Sequence, residues 1–310
     1  VFREELYQHR GSAHPIEGRG IVAEYVQAND GVTAWASTQK AHDLHQNLCA
    51  FLRIDENRLR VATPDVGGGF GPKGTYYPEY ANLSVASRLL GRPVKWIEDR
   101  RENLMACNHS REQVHRVRAA IDADGRVLGL DDEFSHDQGA YVRTHGTRVA
   151  EGTASTLPGP YLIPAFRAVG HYRLTNKTPA ATYRAPGRFE TTFVREKLID
   201  AIAHQLKLDR IEVRKINAVT VKEMPFKRPL EALGEEIHFD SGDYHALLDK
   251  LMKYVEWEKL NKDLAARRAK GELVGVGLAM FVEKAGLGPA VNMDTGLGNL
   301  IDDAKKRRSA

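Results

Sequence analysis

Four glycines occupy five consecutive positions, 67–71, within a cluster that we call the glycine loop, residues 66–74, with the sequence Val-Gly-Gly-Gly-Phe-Gly-Pro-Lys-Gly. Residues 58–66 are predicted to form a strand, and residues 79–90 a helix with Pro78 at its start. Glycine loses more backbone entropy on folding than any other residue, so a simple turn does not need this many of them. The cluster therefore predicts a loop whose backbone approaches another group closely.

The residues of the glycine loop leave several interpretations open. The segment from Gly69 to Gly74 satisfies the dinucleotide fingerprint G-x-G-x-x-G, and Glu98 follows as the acidic residue, but Pro72 removes an amide and delays the helix. A P-loop requires Gly-Lys-Ser/Thr, which the cluster lacks. A third interpretation is a loop whose amides line a phosphate or a metal-bound oxyanion, with Phe70 as a packing wedge. The alternative is a tight turn without a ligand.

The composition is that of an ordinary folded protein, with 42% apolar and 28% charged residues. Cys49 and Cys107 are the only cysteines, which excludes a disulfide scaffold and a cysteine-rich zinc or iron–sulfur site. They also favour a cytoplasmic protein. The formal charge of +4 gives no indication of nucleic-acid binding, and no run approaches the ~18–20 apolar residues of a membrane span. We expect His42 and His45 to be surface residues, and the basic run 305–308 to be a solvated tail.

Hairpins precede helices in the predicted order of elements, which favours an α+β fold over a doubly wound parallel sheet. Asn29-Asp30-Gly31 and Ala123-Asp124-Gly125 each separate two apolar runs and predict hairpin turns. Residues 139–165, rich in Gly, Thr and Pro, are predicted to form a long loop. The remaining predictions are strands at 21–27, 32–37, 94–97, 114–121, 126–134, 166–174 and 274–282, and helices from Lys40 and at 195–206, 211–216 and 244–269, the last with a break allowed.

Two further segments accompany the glycine loop. Residues 182–188, Thr-Tyr-Arg-Ala-Pro-Gly-Arg, which we call the arginine loop, place two guanidinium groups among small residues. These arginines suit close approach to an anion, and the alternative is that they are solvated. Gln39 ends a Ser-Thr-Gln segment before a predicted helix, where a glutamine is usually only a turn or capping residue.

Together the three segments resemble the molybdenum hydroxylases, a family that includes xanthine dehydrogenase, aldehyde oxidase and the large subunit of aerobic carbon monoxide dehydrogenase. The resemblance rests on Gly-Gly-Gly-Phe-Gly-x-Lys at 67–73, on Ser-Thr-Gln ending at Gln39, and on the aromatic-Arg-small-x-Gly pattern at 183–187. It extends from about residue 12 to 289. Supporting matches are His14-Pro15-Ile16-Glu17, Gly91-Arg92-Pro93-Val94, Tyr161-Leu162-Ile163-Pro164 and Thr175-Asn176-Lys177-Thr178-Pro179.

This resemblance implies a molybdopterin cofactor with molybdenum, in its cytosine dinucleotide form, and FAD and 2Fe-2S carriers on partner subunits. It implies that Gln39 hydrogen-bonds an oxo ligand of the metal and that the arginine loop lies beside the metal. Pro186 stands where xanthine dehydrogenases place a substrate-stacking Phe. The residues implied to bind the cofactor are Gln39, Gly68, Gly69, Phe70, Gly71, Arg184 and Ala185.

Departures from the family pattern restrict the expected substrate. Gly74 replaces the substrate-orienting Glu of xanthine dehydrogenases and Pro186 replaces their Phe, which argues against a purine. The arginine loop lacks the cysteine that holds copper in carbon monoxide dehydrogenases, which argues against carbon monoxide. The resemblance itself implies oxidation of an aldehyde or N-heterocycle-type carbon with oxygen from water.

The resemblance also implies a division of the chain. Residues 1–218 are expected to form a first molybdopterin-binding domain, 219–240 a linker, 241–289 the start of a second such domain, and 290–310 a divergent polar tail. The family's catalytic Glu lies beyond this chain, and Glu283 is expected at a strand position rather than as a base. We therefore expect the chain alone to be catalytically incomplete, with a separate chain as one source of the rest. The alternatives are a non-catalytic remnant or assembly module and, from the fingerprint match, a nucleotide-dependent oxidoreductase.

Overall fold

A computed structural model describes residues 1–143, 145–232 and 235–283. The polar tail and the basic run at 305–308 lie outside the described residues, as do residues 284–289. The strands are β1 Phe2–Gln8, β2 Gly11–Ser12, β3 Gly20–Val26, β4 Gly31–Ala36, β5 Leu59–Ala62, β6 Val94–Ile97, β7 His109–Ser110, β8 Gln113–Ile121, β9 Val127–Gly139, β10 Ala165–Leu174, β11 Phe226–Ala232 and β12 Glu235–Phe239. The α-helices are α1 Ala41–Leu52, α2 Pro78–Leu90, α3 Arg100–Ala106, α4 Gly146–Thr156, α5 Arg188–Leu206, α6 Arg210–Asn217, α7 Tyr244–Tyr254 and α8 Trp257–Ala269.

The first four-stranded sheet has the order β5-β4-β3-β6. β3 and β4 form the predicted antiparallel hairpin, with Asp30 in the left-handed region at φ 47°, while β4 and β5 run parallel. α1 and α2 pack against this sheet, because Leu44 and Leu48 on α1 and Tyr80 on α2 are buried in one apolar cluster. This sheet and its two helices hold Gln39 and both ends of the glycine loop.

The second sheet has the order β1-β8-β9-β10, with β9 and β10 parallel and the other pairs antiparallel. The predicted face of α5, including Leu198 and Ile202, packs against it. Mixed pairing in both sheets, with helices packed on each, confirms the α+β prediction.

The predicted long loop at 139–165 is wrong, because it contains α4. Its glycines and threonines have low helix propensity, so its sequence does not predict a helix. Tertiary packing stabilises it instead: α4 packs against α5, β10 and β11, and a Cβ at Gly152 would lie 3.2 Å from the carbonyl oxygen of Pro186. The same contact places α4 directly behind the arginine loop.

Other boundaries also differ from the predictions. α5 begins at Arg188 rather than at residue 195, and the segment expected as a linker contains the antiparallel ribbon of β11 and β12. The allowed break in the helix at 244–269 is present, since Glu256 adopts φ 48° between α7 and α8. No helix in the described part of the chain is long and apolar enough to cross a membrane.

The predicted strand at 274–282 is wrong as well, although the segment keeps the alternating burial of a strand. Among the described residues it pairs with no other strand; instead, arginine side chains satisfy the carbonyl oxygens along one edge. The four bonds run from Arg268 to Val274 at 2.9 Å, Arg210 to Val276 at 3.2 Å, Arg214 to Leu278 at 3.0 Å and Arg195 to Met280 at 3.0 Å.

Candidate functional site

The glycine loop lies between β5 and α2 and is shaped by backbone that most side chains avoid. Gly68, Phe70 and Gly71 have φ of 93°, 55° and 105°. A Cβ at Gly71 would lie 2.8 Å from the carbonyl oxygen of Thr182, closer than real Cβ atoms approach. Glycine is therefore required here for close contact with the arginine loop.

Gln39 contacts the glycine loop from the end of the first sheet. Its Oε1 accepts a hydrogen bond from the backbone N–H of Gly71 at 2.9 Å. A Cβ at Gly69 would lie 2.3 Å from the Gln39 Cδ, so the glutamine side chain fills the space that glycine leaves. Gln39 and Phe70 are both exposed.

Glu17 and Lys73 anchor the glycine loop from below, a role that the sequence reasoning missed. One carboxylate oxygen of Glu17 accepts from the Lys73 ammonium at 2.6 Å, from Ser37 Oγ at 2.8 Å and from the Gly67 N–H at 2.8 Å. Burial alone would raise the pKa of Glu17, but these hydrogen bonds hold it below its ordinary value. Lys73 is fully buried. The family match at 14–17 was the available signal for Glu17.

The arginine loop meets the glycine loop directly. The backbone N–H of Arg184 donates to the carbonyl oxygen of Phe70 at 2.8 Å. Ala185 and Gly187 follow with φ of 57° and 77°, which turns the chain sharply before α5. The three predicted segments therefore come together, with Gln39, Phe70 and Arg184 exposed around the junction.

The side chains next to Arg184 differ in what they contact. Within the described ranges, the Arg184 guanidinium makes no hydrogen bond or ion pair, whereas Arg188 donates from Nε to Glu283 at 3.0 Å. Glu283 is therefore an ion-pair partner of the arginine loop, and the strand setting expected for it is wrong. Pro186 is partly buried, with its carbonyl against α4.

The dinucleotide alternative does not fit the geometry. α2 begins only at Pro78, so the loop amides do not lie at the start of that helix. Glu98 is 4% exposed and accepts from Arg19 Nε at 2.9 Å, so it is not available to a ribose.

His45 contacts the carbonyl oxygens of Glu56 and Leu59 at 3.1 and 3.0 Å, and no cluster of metal-ligating side chains occurs in the described part of the chain.

The junction offers donors that suit a polar, anionic ligand. Gly68 donates its N–H to Val66 and Gly71 to Gln39, whereas the N–H groups of Gly69 and Phe70 donate to no described residue. The Arg184 guanidinium is exposed as well and bonds to no described residue, and the Phe70 ring is exposed in the same loop. Backbone amides of a glycine loop and guanidinium groups are donors that recognise phosphate-like oxygens.

Comparison with known proteins identifies the relatives of this chain. Residues 1–218 match the family described as the molybdopterin cofactor-binding domain. The chain is 39% identical to the gamma subunit of the 6-hydroxypseudooxynicotine dehydrogenase complex of Paenarthrobacter nicotinovorans, over 93% of this chain and 36% of that one. It is 36% identical to the nicotine 6-hydroxylase large subunit of the same organism, over 89% of this chain and 34% of that one.

The same relationship holds for solved structures. Quinoline 2-oxidoreductase from Pseudomonas putida 86 superposes with a TM-score of 0.84 and 34% identity, covering 90% of this chain and 35% of that one. The chain thus spans about a third of the length of the relatives it matches.

Proposed function

The chain belongs to the family of molybdopterin cofactor-binding domains, and we propose that it binds the pterin where Gln39, the glycine loop and the arginine loop meet. The observation that carries this proposal is the 2.8 Å hydrogen bond from the Arg184 N–H to the Phe70 carbonyl, which joins the two loops. This contact supports a ligand site to which all three segments contribute.

The residues present fit such a cofactor. The N–H groups of Gly69 and Phe70 and the Arg184 guanidinium would hold its polar and phosphate oxygens, and Gln39 would donate its side-chain amide. The exposed Phe70 ring would cover an apolar part of the cofactor and exclude water. When bound, a molybdenum cofactor supplies the centre at which water-derived oxygen is added to a substrate carbon and two electrons are taken up.

For the substrate, we propose an N-heterocyclic aromatic compound, oxidised at ring carbon. Two relatives are named for oxidation of such compounds, nicotine and quinoline. The arginine loop carries Ala185 and Pro186 where larger or sulfur-bearing residues would mark a purine or copper-dependent enzyme. Cys49 and Cys107 are both buried, Cys107 against Tyr77, so neither supplies a thiolate to the loop.

The whole enzyme is proposed to contain more than this chain. We propose the cytosine dinucleotide form of the cofactor, partner subunits with FAD and 2Fe-2S clusters, and a general-base Glu from the remainder of the large subunit. In this assembly, residues 1–218 would be one cofactor-binding domain, 219–240 a linker and 241–289 the start of a second. Relatives named as subunits of a complex support the multi-subunit arrangement.

The test is purification of the chain from cells that co-express the genes flanking its own. Molybdenum is measured by mass spectrometry and pterin by the fluorescence of its oxidised form. We expect near-stoichiometric amounts of both, and reduction of a dye by the purified complex with quinoline or nicotine but not with xanthine or carbon monoxide. A folded chain that carries neither molybdenum nor pterin would refute the proposal and favour a non-catalytic assembly module.

A further inference from the structure

Arg111 lies beneath the arginine loop, between β7 and β8, and its side chain is 7% exposed. Its Nη2 donates to the carbonyl oxygens of Tyr183, at 3.3 Å, and Arg184, and its Nη1 reaches that of Ala185 at 3.4 Å. Three successive carbonyls of the loop therefore converge on one guanidinium. Arg111 itself adopts a positive φ of 79°.

Glu190, in the first turn of α5, neutralises this cation. Its two carboxylate oxygens accept from Arg111 Nη1 at 3.2 and 3.1 Å, and the residue is fully buried. Burial raises the pKa of the Glu190 carboxyl, while Arg111 opposes that shift. The guanidinium is also enclosed by two rings, with its Cζ 4.5 Å from the centre of Tyr183 and 4.2 Å from that of Phe189.

The arginine loop needs such support. Ala185 has positive φ, an unfavourable conformation for a residue with a Cβ, and such backbone persists only where its surroundings over-determine it. Three carbonyls that point the same way also repel one another unless a donor lies between them. Arg111 supplies that donor as a planar fork, which a lysine ammonium cannot reproduce.

We propose that Arg111 is the positioning residue of the arginine loop, holding it in the conformation that presents Arg184 and Pro186 to the cofactor and substrate. The effect of Arg111 on cofactor binding rests on the proposed function. The conformation of the loop is measurable in this chain without any cofactor.

The experiment compares Arg111→Lys with a double variant, Arg111→Met with Glu190→Gln, which removes both buried charges. Hydrogen–deuterium exchange is followed at the amides of Arg184 and Phe189, which bond to Phe70 and Ala185 only when the loop is in place. The control is Arg118→Lys on β8, whose side chain is 54% exposed and pairs with Asp131.

We expect exchange at these two amides to rise at least tenfold in both Arg111 variants, with amides of β8 and β9 within twofold of wild type. A role limited to charge balance predicts instead that the double variant recovers wild-type protection. Wild-type protection in either variant, or equal acceleration throughout the second sheet, would overturn the inference.

Pterin content per folded chain provides the second readout in the co-expressed complex. It is expected to fall at least fivefold in Arg111→Lys and to stay unchanged in Arg118→Lys. Unchanged content in Arg111→Lys would overturn the link to the cofactor. Absence of pterin from the wild-type complex would refute the proposed function instead, while the exchange result would still decide whether Arg111 positions the loop.

Discussion

Substitution of Gly71 by alanine tests how closely the glycine and arginine loops approach each other. Gly71 has φ 105° and ψ −45°, a region that residues with a Cβ rarely occupy. The added methyl group would lie 2.8 Å from both the carbonyl oxygen and the Cγ2 of Thr182. The methyl group of Thr182 can rotate away, but its carbonyl oxygen is fixed by the backbone.

Two contributions set the expected size of the effect. A residue with a Cβ in sparsely populated backbone costs about 1–3 kcal/mol, and overpacking at a tight contact costs about 1–3 kcal/mol. We therefore expect Gly71→Ala to lower the free energy of unfolding by about 2–6 kcal/mol. Relief requires the glycine loop to move away from Thr182, which would break the bond between the Arg184 N–H and the Phe70 carbonyl.

Gly74→Ala is the matched control within the same loop. A Cβ there would meet only the Lys40 side chain, at 3.8 Å, which is ordinary contact, and Gly74 does not have positive φ. Its effect on stability should stay within about 0.5 kcal/mol. Urea denaturation followed by tryptophan fluorescence measures both variants. Equal stabilities for the two would show that Thr182 does not lie against Gly71 as described.

Three further predictions concern other parts of the site and its support. Glu17→Gln should lower the free energy of unfolding by about 1–3 kcal/mol, which is less than the loss of a fully buried ion pair costs because the Glu17 side chain is 40% exposed. Urea denaturation measures this change. An effect no larger than that of the exposed control Glu5→Gln would contradict the anchoring role of Glu17. Burial lowers the pKa of His136 from 6.5 to about 4, so below pH 6.5 the unfolded chain takes up a proton that the folded chain does not. Stability should therefore fall by up to about 3 kcal/mol between pH 6.5 and 4; urea titrations across this range should show a smaller fall in His136→Gln, and identical curves would refute the assignment. Arg184→Ala should keep the melting temperature within about 2 °C of the wild-type value, because the Arg184 side chain makes no hydrogen bond or ion pair in the described structure. The same variant should lower the pterin content. A lower melting temperature with unchanged pterin content would contradict the role of Arg184 in binding the cofactor.

The sequence predicted those elements whose apolar residues follow a regular period. The face of α5 through Leu198 and Ile202 and the hairpin at Asp30 were correct because local patterning and tertiary packing agree there. α4 was missed because its stability comes from the fit of Gly152 against the arginine loop, a contact with no signal in its own sequence. The segment 274–282 has the alternating apolar pattern of a strand, but that pattern does not show whether a neighbouring strand or side chains form hydrogen bonds with its backbone.

The site was predicted only in part. Periodicity places Gln39, the glycine loop and the arginine loop on separate elements, and the resemblance to a family was needed to bring them together. Glu17 and Arg111 were missed because their function depends on contacts with the glycine loop and the arginine loop, which are distant from them in the sequence. Arg111 belongs to no unusual local pattern, and the only signal for Glu17 was the family match at 14–17.

The residues beside an arginine in the sequence do not show whether it binds a ligand. Several arginines of this chain are buried and bond to the protein's own backbone instead. Arg195 and Arg214 are buried and donate to carbonyls of the segment at 274–282, and Arg111 does the same for the arginine loop. Irregular backbone needs donors where no strand supplies them, and a guanidinium offers five in a plane. An arginine next to small residues is therefore as suited to stabilising the protein's own loops as to binding an anion. What distinguishes Arg184 is that its guanidinium is exposed and bonds to no described residue, while its backbone N–H is fixed against the glycine loop. That combination, a fixed backbone and an uncommitted side chain, is the property expected of a ligand-binding residue.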